Sequence, residues 1–110
     1  MILYGIANCD SVRKAKKTLE LQGHEYQFHD FRKQGLTPDI IQAWLKQVDY
    51  SQLINTRSTS WKTLTDEQKH AVENQDLTFV CQLPTLIKRP VLQTDHRILI
   101  GFNLAEYQSL

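Results

Sequence analysis

Ile2-Leu3-Tyr4-Gly5-Ile6-Ala7-Asn8-Cys9-Asp10-Ser11-Val12-Arg13-Lys14-Ala15 decides how the rest of the chain reads. Residues 2–7 are apolar and read as a strand. Val12, Ala15 and Leu19 recur at helical spacing with lysines on the other faces, so residues 11–22 read as an amphipathic helix that stops at Gly23. Cys9 falls at the turn between the two. A thiol there points at the unpaired N–H groups of a helix start and at the positive end of its dipole. Such a setting favours the thiolate, which is the nucleophile. The competing reading is a small buried hydrophobe, as most cysteines are.

Working outward, Glu25-Tyr26-Gln27-Phe28-His29 alternates polar and apolar residues as a half-buried strand does. Strand, helix and strand in succession suggest a parallel βαβ opening. The middle of the chain is helical. Thr37 is a good N-cap and Pro38 a good first helical residue. Ile40, Ile41, Trp44, Leu45 and Val48 then form one apolar stripe. Thr65 with Gln68 fits a capping box for a helix through Ala71 and Val72. Asn55-Thr56-Arg57-Ser58-Thr59-Ser60 between them is polar and reads as a loop. Residues 77–83 have strand propensity, but a short buried helix is equally open. Val91–Thr94 and Arg97–Ile100 flank Asp95-His96 as a hairpin whose turn lacks glycine. A short helix near residues 104–109 follows Gly101.

At 110 residues the chain is expected to form one domain with a single modest core. Its net charge of +1 gives no global field toward nucleic acid or an anionic membrane. The lysine-rich face of the first helix lacks interleaved aromatics, so it does not read as a nucleic-acid surface. Two cysteines do not make a disulfide scaffold. No signal-peptide pattern and no apolar run near the roughly 20 residues of a membrane span are present, so the expected location is the cytoplasm, where thiols stay reduced.

A thiolate that attacks an anionic or disulfide substrate needs nearby positive charge. Arg13, Arg57 and Arg89 are the candidates, because a guanidinium offers paired donors to an oxyanion. Each also has a plainer reading: a solvated helix residue, a loop charge, and a residue fixed by the turn at Pro90. Cys81 could resolve a mixed disulfide, but its apolar surroundings favour a core role. His24, His29, His70 and His96 show no metal-ligand spacing, so no metal site is expected.

The stretch Tyr4–Ala15, Asn55-Thr56-Arg57 and Leu83-Pro84-Thr85-Leu86-Ile87-Lys88-Arg89-Pro90 resembles three motifs of the arsenate reductase (ArsC)/Spx family, in the right order across nearly the whole chain. His29-Asp30-Phe31-Arg32 is similar to the segment after that family's second strand. The nearest resemblance is to its short, YffB-type branch, described as glutathione-dependent thiol reductases. The resemblance implies an α/β, thioredoxin-like fold with a helical insertion after the second strand, about residues 37–75, within a single 1–110 domain. It resolves 77–83 toward a helix and implies a cis peptide between Arg89 and Pro90, facing Cys9. It implies Cys9 as the nucleophile and Asn8, Ser11, Arg13, Arg57, Arg89 and Pro90 as substrate- or anion-binding residues. No bound cofactor is implied; glutathione would be the co-substrate and glutaredoxin a further partner. The alternatives it carries are reduction of arsenate or a related oxyanion, and an Spx-like regulator that binds RNA polymerase. Phe102 stands where arsenate reductases of this type have a third site arginine, which argues against oxyanion turnover. Val12 stands where Spx-type regulators carry the second cysteine of a Cys-x-x-Cys switch.

Overall fold

In chain order the computed structural model, which describes Met1–Leu110, runs β1 (Ile2–Gly5), α1 (Asp10–Leu21), β2 (Gln27–Asp30), α2 (Phe31–Gln34), α3 (Pro38–Leu45), α4 (Tyr50–Leu53), α5 (Thr59–Lys62), α6 (Asp66–Glu73), α7 (Leu77–Gln82), a 3₁₀ turn (Pro84–Leu86), β3 (Val91–Gln93), β4 (Ile98–Ile100) and α8 (Leu104–Gln108). These elements form two units, one joining Met1–Gln34 to Arg89–Leu110 and the other spanning Gly35–Lys88.

The first unit is built on a four-stranded sheet of order β2-β1-β3-β4. β1 and β2 are parallel, joined through α1, while β3 runs antiparallel to both β1 and β4. Phe28, Leu3, Leu92 and Leu99 lie in register across the four strands and point to one face. Val12, Ala15 and Leu19 of α1 meet that row, all with no exposed surface, and Tyr107 of α8 joins them. Burying a leucine in this way contributes about 1.5–3 kcal/mol. βαβ followed by ββα around a mixed sheet is the thioredoxin-like arrangement that the resemblance implies.

Two glycines fix how α1 sits. A Cβ on Gly5 would lie 2.7 Å from Cγ2 of Val12, so only glycine lets the end of β1 approach the helix this closely. Gly23, at φ +76°, ends α1. His24 N–H donates to Leu19 O and Gly23 N–H to Glu20 O, which is a Schellman ending.

In the second unit the caps carry the helices. Thr37 accepts from Ile40 N–H with Pro38 at the first helical position, and Thr65 and Gln68 form the full capping box of α6. Ile41 and Trp44 are the buried members of the apolar stripe; Ile40, Leu45 and Val48 are half-buried. Tyr50 Oη donates to Val72 O (2.5 Å) and ties α4 to α6. Leu53–Asn55 pairs with Leu86–Lys88 through Ile54 opposite Ile87, with Lys88 N–H to Leu53 O and Asn55 N–H to Leu86 O both at 2.8 Å.

Several elements differ from the sequence reading. β1 stops at Gly5 rather than residue 7, because its partner β2 ends at Asp30 and turns into α2. Residues 77–82 depart from their strand propensity but are helical as the resemblance implies, because Asp76 accepts from Phe79 N–H (3.1 Å) and caps them. The polar stretch 55–60 is a loop only as far as Ser58, whose hydroxyl accepts from Trp61 N–H and starts α5. The hairpin turn manages without glycine because Thr94 Oγ1 accepts from both His96 N–H and Arg97 N–H. No helix is long and apolar enough to cross a membrane.

Candidate active site around Cys9

The chain leaves the sheet after Gly5 and reaches Cys9 through buried Ile6 and exposed Ala7 and Asn8. Cys9 has extended backbone and is the N-cap residue of the twelve-residue α1. Its carbonyl accepts the first helical hydrogen bond, from Arg13 N–H (3.0 Å). The N–H groups of Asp10, Ser11 and Val12 therefore have no acceptor within the helix. The thiol is half-buried and makes no capping hydrogen bond to them. It packs against the core formed by Leu3, Val12, Leu92 and Tyr107. A half-buried sulfur beside open N–H donors can still be reached by a substrate.

The first turn also carries charge. Arg13 Nη2 forms an ion pair with Asp10 Oδ1, the two side chains being 57% and 84% exposed. Arg13 therefore does not stand alone as an anion-binding group; a carboxylate already contacts one of its terminal nitrogens. Ser11 is half-buried and Asn8 exposed. Val12, where a second cysteine would complete Cys-x-x-Cys, is wholly buried in the core.

On the other side of β1, Tyr4 pairs with Val91 of β3. One further step of that register sets Pro90 beside Gly5, at the end of the sheet from which the Cys9 loop departs. The Arg89–Pro90 peptide bond is cis. Pro90 is buried, and its carbonyl accepts from Gly101 N–H (2.8 Å). Arg89 is half-buried, with its Nε out of solvent. Phe102 packs against Tyr107 in a tilted arrangement, 4.9 Å between centroids, so the ring after Gly101 extends the core and offers no hydrogen bond to an oxyanion.

Asp30 is marked in the sequence only through the family resemblance of His29-Asp30-Phe31-Arg32. It is the buried charged residue of the first unit, at the end of β2 opposite Gly5. Its Oδ1 accepts from Arg32 N–H (2.8 Å), and its own N–H donates to Gln34 Oε1 (3.1 Å). The ring of His29 next to it lies 4.9 Å from Tyr4 and 6.1 Å from Phe31.

Arg57 belongs to the second unit. It is exposed in the loop before α5, where Asn55 Oδ1 accepts from its N–H (3.1 Å) and Asn55 O from Ser58 Oγ (2.7 Å). Cys81 also lies in the second unit, half-buried in α7, and burial pushes its thiol up from the ordinary value. That is the opposite of what a resolving thiolate needs. No group of three His, Cys, Asp or Glu side chains could hold a metal ion.

The model of the ArsC family matches residues 4–110. The solved structure of the YffB (PA3664) protein superposes with a TM-score of 0.90 at 30% identity, covering 98% of this chain and 96% of that one. An arsenate reductase (ArsC) related protein from Brucella melitensis matches with a TM-score of 0.70 at 35% identity, covering 98% and 91%. Global transcriptional regulator Spx 2 of Bacillus cereus is 30% identical over 108 residues, which span 96% of this chain and 82% of that protein. With its family model matched nearly end to end and its fold shared with these relatives, this chain belongs to the ArsC family.

Proposed function

We propose that this chain is a thiol-disulfide reductase that works through the single nucleophile Cys9 and draws its electrons from glutathione. The observation that carries this reading is the thiol's place at the N-cap of α1, beside N–H groups without helical acceptors, with buried Val12 where an internal partner cysteine would be. A lone nucleophile of this kind needs an external thiol to finish its cycle. The Cys9 thiolate attacks the disulfide of a glutathione adduct. The substrate's S–S bond breaks, its thiolate leaves with the electron pair and takes up a proton, and a Cys9–glutathione disulfide forms. A second glutathione thiolate then attacks that disulfide, releasing oxidised glutathione and returning Cys9 as thiolate. Arg89, in the same unit as Cys9, is assigned to a glutathione carboxylate, where a charge-assisted hydrogen bond is worth about 1.5–3 kcal/mol.

Steady-state reduction of a glutathione mixed disulfide, with excess glutathione, tests the reading. Cys9→Ser should lower kcat/KM to the uncatalysed background, while Cys81→Ser should retain activity. Full turnover by Cys9→Ser would end the proposal.

Reduction of an oxyanion is the second reading, favoured by the description of the Brucella relative. The Asp10–Arg13 pair and the core position of Phe102 weigh against it. Turnover of arsenate with glutathione and glutaredoxin above the Cys9→Ser blank would establish it.

A further inference from the structure

From the ion pair at the start of α1 we infer that Asp10 is the residue that tunes the charge preference of Cys9, cancelling the attraction that Arg13 and the bare helix start would otherwise give to anionic disulfides and oxyanions. This rests on the reading of Cys9 as the attacking thiol.

Cys9 is the N-cap and Asp10 the next residue along the chain, so the carboxylate stands in the same first turn as the sulfur. A bare helix start with an arginine in its first turn would attract anions, through its open N–H groups and the guanidinium together. Here Asp10 opposes both. It forms the ion pair with Arg13 Nη2, and its own negative charge lies at the positive end of the dipole. The first turn therefore carries no net side-chain charge. Lys14 follows on an exposed face, while Lys16 is drawn over the ring of Phe28, 3.6 Å from its centroid, and away from the first turn. Phe102 packs against Tyr107, so the residue after Gly101 restores no cation either. An approaching anion gains little here and must compete with Asp10 for Arg13; a neutral disulfide loses nothing. Both side chains are largely exposed, so the discrimination is a through-solvent effect. Two unit charges about 6 Å apart in water change a rate by about threefold.

Second-order rate constants at Cys9 decide the matter, followed by peptide mass with three disulfides: dianionic dithiobis-nitrobenzoate, neutral dithiodipyridine and dicationic cystamine. Each reaction is the same exchange: the thiol proton goes to solvent, the reagent S–S bond breaks, a mixed disulfide forms on Cys9, and one reagent thiolate leaves. Dividing by the rate of a small free thiol removes intrinsic reagent reactivity. Asp10→Asn should raise the rate with the dianion by about threefold to tenfold and lower that with cystamine by a similar factor, with the neutral reagent changed by less than about twofold. Arg13→Gln should do the reverse, and the double variant Asp10→Asn/Arg13→Gln should return near the parent selectivity. About 1 M salt, where the Debye length is about 3 Å, should flatten all these differences. Equal changes with all three reagents, or none, would overturn the inference while leaving Cys9 a fast nucleophile. A Cys9 that is slow with every reagent in every variant would overturn this inference and the proposed function together.

Discussion

Single residues decide the site because each is held by something its neighbours in sequence do not reveal. Gly5 is the clearest case. Its missing Cβ admits Val12 Cγ2, and Val12 sits one turn into the helix that Cys9 caps. Gly5→Ala must push α1 away from β1, and overpacking of this kind costs about 1–3 kcal/mol. Denaturant unfolding should show that loss without a change in m-value, and alkylation of Cys9 should slow in the same variant, because the N-cap moves with the helix. Unchanged stability would mean the contact relaxes freely. At this scale the sequence was legible where a residue announces its chemistry, as Cys9 does at the turn, and where the family resemblance supplied what the residues alone did not, as for the cis bond before Pro90. It was not legible where chemistry depends on a partner. Whether Asp10 caps the helix or crowds the thiol stays open in the sequence; the structure gives its carboxylate to Arg13. Asp30 takes its role from burial and from Arg32 N–H, neither of which any spacing rule reports.

Whole elements were read best where caps and apolar period agree. Thr37-Pro38, the Thr65–Gln68 box and the Val12, Ala15, Leu19 stripe all gave helices close to their observed bounds. The four-residue helices α2, α4 and α5 escaped, since a single turn is too short for a period to show and each is fixed by contacts such as Tyr50 to Val72 O. That contact has a pH signature. Burial, and then the nearby carboxylate of Asp76, push the Tyr50 hydroxyl up to about 12. The raised value means the folded state holds the proton more tightly than the unfolded chain does. The contribution of Tyr50 is therefore complete below the ordinary tyrosine value of about 10, and it is lost as pH rises through about 12. The thermal midpoint should start to fall above pH ~10, and Tyr50→Phe should show a shallower fall. A midpoint equally steep in that variant would remove Tyr50 from the cause. Tyr26, pushed up to about 12 by burial and by its hydrogen bond to Glu20, adds to the same window.

At the scale of the molecule, the family resemblance carried the thioredoxin-like order of elements, and the opening βαβ and late hairpin agree with it. The residue-level chemistry was split in a way the sequence could not express. Cys9, Arg13, Arg89 and Pro90 belong to one unit and Arg57 and Cys81 to the other. The central claim concerns one atom, the sulfur of Cys9, as the only thiol that carries the glutathione intermediate. Exposing the reduced protein to oxidised glutathione, quenching with acid and mapping the adduct by peptide mass tests it most directly. The account predicts one glutathione per chain, on the peptide that holds Cys9, released again by added glutathione. An adduct on Cys81, or a Cys9 that stays unmodified while a small free thiol reacts, would contradict it.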